Sequence, residues 1–205
     1  LPNYGVFDDE RYFHPGTETA RYVIAGVEVA ATVCEDIWYP EGPVRDAALG
    51  GALLVVNINH SPFHMGKRNE REQMLATRAV DNHIAIAYVN QVGGQDEIVL
   101  DGNSIVLGPD GAVLARGASF EEDLIVVDIP IEQVVQARLD RSPLPPEKSQ
   151  APVPALAVTP VGEGIRKPLS HKFPEPLDDL AETYRSLVIG TCDYIRKTGF
   201  ENVIV

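Results

Sequence analysis

In the stretch VCEDIW, Val33 to Trp38, a cysteine follows an apolar run and stands directly before two carboxylates. A thiolate at Cys34 would be repelled by Glu35 and Asp36. The switch from apolar to polar nevertheless marks a strand end, and sites in open α/β sheets collect at the carboxyl ends of strands. Turn-forming residues come next, so backbone N–H groups can face the sulfur. Neighbouring apolar runs also end in polar residues: Asn57, Asn59, His60 and Ser61 after one, Asn90 and Gln91 after another. Three such ends side by side would form the floor of a pocket. On the residues alone, two readings of Cys34 stand level: an activated nucleophile, and a small hydrophobe ending a buried strand.

A thiol nucleophile needs a base and an oxyanion hole. Five histidines are present: His14, His60, His64, His83 and His171. His60 and His64 flank Ser61 closely enough to suggest a Cys–His pair, but they read more simply as loop or surface residues. No further His or Cys stands near them to complete a metal site. Cys192 falls mid-helix beside Ile189 and Ile195 and reads as core.

The elements that would position these groups follow from pattern. YVIAGVEVAATVC fits a hairpin followed by a buried strand. EGPVRDAALGG fits a short helix stopped by Gly50 and Gly51. GALLVVNINH is a second buried strand. KRNEREQMLATRAVDNH carries Met74, Leu75, Arg78 and Ala79 at helical spacing, leading into the strand IAIAYVNQ. Pro109-Asp110-Gly111 predicts a turn between two short strands, and LIVVDIP reads as a closing buried strand. The alternation predicts an α/β sandwich with a mixed sheet over residues 1–140. Residues 141–176, with PLPPEK, APVPA and FPEP, read as a proline-rich linker or arm. From Leu177 an amphipathic helix follows, with Asp178 and Asp179 at its start, Arg196 and Lys197 at its end, and Gly199 as its stop. The strand NVIV after it would open a second α/β domain over 177–205. Leu1 in place of Met, and a final strand still in progress, suggest a piece of a longer protein.

Composition sets the outer bounds. The chain has 205 residues, 44% hydrophobic and 23% charged, which is that of a folded domain. A formal net charge of −13 argues against a phosphate-backbone partner or an anionic membrane surface. Two distant cysteines make neither a disulfide framework nor a structural zinc site. With no long apolar span and no signal-like start, a cytoplasmic location is the expectation.

LPNYGVFDDERYF, VCEDIWYPEGP, NINHSPFHMGKRNEREQML and AYVNQVGGQDEIVLDGNS, in that order, resemble the nitrilase (carbon–nitrogen hydrolase) superfamily. More narrowly, they resemble the glutaminase domain of glutamine-dependent NAD synthetases. The proline-rich arm and the helix after it resemble the junction with the synthetase domain of those enzymes. The resemblance implies a partial αββα sandwich, a linker, and the first helix and strand of an α/β ATP-pyrophosphatase-type domain. It implies a Glu-Lys-Cys site in which Cys34 attacks the side-chain amide of glutamine, ammonia leaves, and water releases glutamate. The matching lysine and glutamate would precede Leu1, and no lysine present, Lys67 included, stands at the matching place.

Further roles come with the resemblance. The backbone N–H of Glu35 would be an oxyanion donor, and the Glu35 side chain and Ser61 would hold the two ends of glutamine; Ser61 also reads as a turn serine before Pro62. Trp38 would line the pocket or simply pack. Asp9, where the family has glutamate, or Glu10 beside it, would be the carboxylate that supports the lysine. Asp101 reads as a turn aspartate or a pocket-edge acid. No cofactor is expected in this stretch; ATP and Mg would belong to the synthetase domain, whose SGGxDS loop would follow NVIV. The expected partners are glutamine, the synthetase domain of the same chain, and further copies in a homo-oligomer. Two other readings remain: a stand-alone amidase of the superfamily, and a catalytically dead scaffold.

Overall fold

The computed structural model describes residues 1–140, 155–160, 169 and 173–204. β1 (Arg21–Ile24) and β2 (Val27–Val33) form the expected hairpin. Its two-residue turn, Ala25-Gly26, has φ 48° and 81°, the left-handed pair that matches the twist of the flanking strands. α1 (Pro43–Gly50) starts on proline and ends where Gly51 takes φ 116°, as proline-first and glycine-last chemistry predicts. β3 (Leu54–Asn59), α2 (Lys67–Asn82) and β4 (Ala85–Asn90) follow, then β5 (Val92–Gln95), β6 (Ile98–Asp101), β7 (Ile105–Leu107) and β8 (Val113–Arg116). The last elements are α3 (Ile131–Asp140), β9 (Leu156–Thr159) and α4 (Asp179–Thr198).

Seven strands make one mixed sheet in the order β8-β7-β4-β3-β2-β1-β9, and β5–β6 stands apart as a hairpin. β2, β3 and β4 are parallel, with α1 and α2 as crossovers. Both helices lie on one face, burying Ala47, Ala48, Leu75 and Ala79 against Ala30, Val55 and Ile86. Side chains alternate between faces along a strand, so the opposite face carries the row Val33, Ile58 and Val89, which are 64%, 56% and 50% exposed. The expected sandwich is thus present as one helix-covered sheet. Because the strands run in parallel, Val33, Asn59 and Asn90 all end at the same edge, which is where the three polar stretches meet. Among the described residues, no helix is long and apolar enough to cross a membrane.

Several expectations are corrected. LIVVDIP is not a buried strand: residues 124–130 run without strand pairing, and Leu124 is 83% exposed. Apolar composition makes a strand only where a neighbouring edge accepts its backbone. Ile131–Asp140, which carried no prediction, is helical, and the β5–β6 hairpin was likewise not foreseen. Within the arm, Leu156–Thr159 pairs in parallel with β1, and Ala25 N–H donates to the Thr159 carbonyl at 3.2 Å. The rest of the arm lies mostly outside the described residues. Residues 202–204 form no strand, since no described neighbour pairs with them, and Ile204 is 99% exposed.

α4 has the expected caps, with Asp178 accepting Ala181 N–H at 2.7 Å and Gly199 at φ 76°. It does not pack as a conventional amphipathic helix. Glu182, Ser186, Gly190 and Asp193 turn inward, while Leu180, Tyr184 and Leu187 are exposed. Cys192 is half-buried rather than core.

Candidate active site

β2 ends at Val33, and Cys34 follows with φ 44°. A non-glycine residue in this left-handed region costs conformational energy and persists only where its surroundings hold it. Two contacts hold it here. The Asp36 carboxylate accepts Val33 N–H at 2.8 Å, closing a tight turn over Cys34–Ile37. Arg78 of α2, buried, donates to the carbonyls of Ile37 at 3.2 Å and Trp38 at 2.9 Å, fixing the far end of that turn.

The sulfur is half-buried and faces the backbone N–H groups of His60 and Glu35. Burial pushes the thiol above its ordinary range, and the carboxylates of Glu35 and Asp9 push the same way; the two N–H groups oppose them. A cavity of about 1240 Å³ opens over it. Its lining includes Asp9, Glu35, Asp36, Glu41, Asp96 and Glu97, and among the described residues no lysine or arginine side chain. A raised thiol pKa means less thiolate at neutral pH. Iodoacetamide should therefore alkylate Cys34 more slowly at pH 7 than it does a free cysteine. The rate should still climb past pH 9, beyond the usual thiol value of roughly 8.5. Peptide-resolved kinetics separate Cys34 from Cys192; a plateau reached below pH 8 would contradict this environment.

The predicted site residues divide sharply. Cys34, Glu35 and Asp9 share the cavity wall. Glu10 points elsewhere and accepts a hydrogen bond from the Asn3 side-chain amide at 3.3 Å. Trp38 packs against the core, with the Lys67 ammonium 3.8 Å from its ring centroid, and does not line the cavity. Ser61 is buried beneath the wall: its N–H donates to Asn90 Oδ1 at 3.0 Å, and its hydroxyl accepts from Arg71 at 3.5 Å. His60, expected in a loop or at the surface, follows β3 outside any strand or helix and also lines the cavity, its ring nitrogen 2.5 Å from Gln91 Oε1. His64 is exposed as expected, 3.4 Å from Glu70.

Asp101 is neither a turn residue nor a pocket-edge acid. It is fully buried. Its carboxylate accepts from both terminal nitrogens of Arg71 at 3.2 and 3.1 Å, from Asn90 at 3.2 Å and from Asn103 at 2.7 Å. This hub ties α2, β4 and β6 together under the strand ends, so Ser61, next to His60, is held from below. The signal for it was present: Arg71, Leu75, Arg78 and Asn82 share one helix face, and a buried arginine requires a buried acceptor.

Tyr4 was also not foreseen. Its hydroxyl donates to Glu35 Oε2 at 2.8 Å. Its pKa is pushed up to about 12, first by burial and then by Glu35. Glu35 is thereby oriented within the cavity.

The sequence profile of the carbon–nitrogen hydrolase family matches residues 1–139. The chain is 40% identical over 210 residues to the glutamine-dependent NAD(+) synthetase of Thermotoga maritima, covering 100% of this chain and 36% of that protein. It is similar to the solved glutamine-dependent NAD+ synthetase of Acinetobacter baumannii, crystallised with ADP. There the TM-score is 0.73 at 32% identity, over 99% of this chain and 32% of that one. A carbon–nitrogen hydrolase from Helicobacter pylori G27 gives a TM-score of 0.61 at 26% identity, over 67% of this chain and 52% of that one. The chain spans about a third of the length of the curated relatives it matches.

Proposed function

The chain belongs to the carbon–nitrogen hydrolase family, and from that premise we propose that Cys34 is the nucleophile that opens the side-chain amide of glutamine in a glutamine-dependent NAD synthetase. The observation that carries the reading is Cys34 itself: a cysteine held in left-handed backbone at a strand end, its sulfur facing two N–H groups inside a cavity. The thiolate adds to the amide carbon, and the oxyanion that forms accepts the N–H of Glu35. Collapse breaks the C–N bond, the leaving amide nitrogen takes up the proton that the Cys34 thiol gave up and departs as ammonia, and a γ-glutamyl thioester remains on Cys34. Water then cleaves the thioester to release glutamate. The acid-lined cavity, with the hydrogen-bonded Glu35 and Tyr4 in its wall, supports the reading that it receives the α-ammonium end of the substrate.

The ammonia would amidate an ATP-activated nicotinate dinucleotide in a synthetase domain using ATP and Mg, in a homo-oligomeric cytoplasmic enzyme. The family's glutamate base and lysine match no residue of this chain, and the raised thiol fits a cysteine without a cationic neighbour.

A stand-alone amidase is the second reading, since the H. pylori protein that two thirds of this chain resembles is described only as a carbon–nitrogen hydrolase. Against it, the likeness to the synthetases continues through α4 to the whole chain. The test is ammonia release by a polypeptide of the relatives' full length that carries this chain. Glutamine should be turned over with kcat/KM at least about 100-fold above butyramide, since a site built for polar ends rejects a substrate that lacks them. Equal or better use of butyramide would support the amidase.

A further inference from the structure

We propose that Asp193 and Lys197 of α4 are positioning residues for the Cys34 cavity: they fix the β5–β6 hairpin, whose tip carries Asp96 and Glu97 into the cavity wall, and so set the cavity's preference for a cationic substrate end. This rests on the reading of that cavity as the substrate site.

Three observations converge. First, the contact is built at backbone distance. Asp193 Oδ2 accepts Gly94 N–H at 2.8 Å, and Lys197 Nζ donates to the Gly94 carbonyl at 2.6 Å and to Gln95 Oε1 at 3.0 Å. One turn of α4 thus grips both backbone polar groups of a single residue, Gly94. Second, the fit needs glycine on both sides. A Cβ on Gly94 would lie 2.9 Å from Gly190 Cα, and one on Gly190 would lie 3.0 Å from Val99 Cγ2. Gly93, at φ 133°, would set a Cβ 3.0 Å from the Asp193 carboxylate. Third, the gripped segment runs directly into the cavity. Gln95, Asp96, Glu97 and Ile98 all line it, and Asp96 turns the hairpin at φ 49°.

Mere packing would look different. A helix docked for burial presents its apolar stripe, yet α4 leaves Leu180, Tyr184 and Leu187 exposed and turns polar and small residues inward. An isolated two-stranded hairpin is marginal in water. On its other side β6 is held through Phe63 N–H, which donates to Val99 O at 2.8 Å. α4 is anchored further along by Arg68 of α2, 3.0 Å from Glu182. The hairpin tip therefore lies between two supports, and α4 supplies the one made of titratable side chains.

The test uses the polypeptide of the relatives' full length that carries this chain, with alkylation read on the peptide that contains Cys34. Asp193→Ala, Asp193→Asn and Lys197→Met are compared by hydrogen exchange and by alkylation of Cys34 with neutral iodoacetamide and cationic 2-bromoethylammonium. Asp193→Ala and Lys197→Met should each raise exchange across Gly93–Glu97 by on the order of tenfold, with α2 and β4 unchanged. Both should lower the cationic-to-neutral rate ratio about threefold as the tip carboxylates leave the wall. Asp193→Asn retains an acceptor and should restore most of both effects. Unchanged hairpin exchange in both variants, or exchange raised equally through α2 and β4, would overturn the proposal. So would an asparagine no better than alanine. If the parent chain shows no preference for the cationic reagent, the substrate reading fails, and the hairpin exchange still decides the positioning role.

Discussion

Asp101→Ala is expected to remove about 3–5 kcal/mol of stability, the cost of leaving one partner of a buried ion pair without the other. That is much of what holds an ordinary domain folded, about 5–15 kcal/mol. Without the carboxylate, the Arg71 guanidinium stays in the interior with the Ser61 hydroxyl at 3.5 Å as its remaining acceptor among the bonds described. Asn90 and Asn103 each lose an acceptor as well, and Asn103 is held at φ 52° beside that carboxylate. Asp101→Asn keeps the shape but not the charge and should fall between the two. The paired change Arg71→Met with Asp101→Leu should recover much of the loss, because it removes the buried charges together. Denaturant midpoints by circular dichroism measure all four proteins. A loss below about 1 kcal/mol for Asp101→Ala would mean that the interior readily rehydrates the arginine.

Cys34→Ala should be the most damaging change to function. In the full-length polypeptide that carries this chain, glutamine-dependent NAD formation should fall by about 10⁴-fold or more, equivalent to about 5.5 kcal/mol of transition-state stabilisation. No neighbouring group can replace the sulfur as nucleophile, since the carboxylates around it are poor attackers of an amide and His60 is engaged by Gln91. With ammonium supplied directly, NAD formation should persist within about threefold, because the synthetase chemistry does not pass through the thiol. Loss of both activities, or of neither, would sink the assignment.

How much of this could be read from the residues differs by element. The three polar strand ends were legible, because parallel β2, β3 and β4 put the boundaries after Val33, Asn59 and Asn90 at one edge. α1 and α2 were legible from their stops and spacing. Asp101 was legible only by half: the helix face that buries Arg71 calls for a buried acceptor, but a turn-like Asp-Gly does not mark Asp101 as that acceptor. LIVVDIP misled because apolar composition does not name a strand partner. α4 misled in the opposite way: its caps were readable, but its docking face depends on two glycines meeting across the fold. The left-handed backbone at Cys34 left no mark in residue type, since cysteine has no preference for it. The role proposed for that residue rests on the family resemblance; the geometry adds the N–H groups of His60 and Glu35 that face its sulfur.

The most direct measurement is peptide mass spectrometry of the full-length protein, acid-quenched during turnover of glutamine. The account predicts a hydroxylamine-labile γ-glutamyl adduct on the peptide that contains Cys34, absent when alanine replaces the cysteine. Steady ammonia release from glutamine with no adduct on Cys34, and with the Cys34→Ala protein equally active, would contradict it.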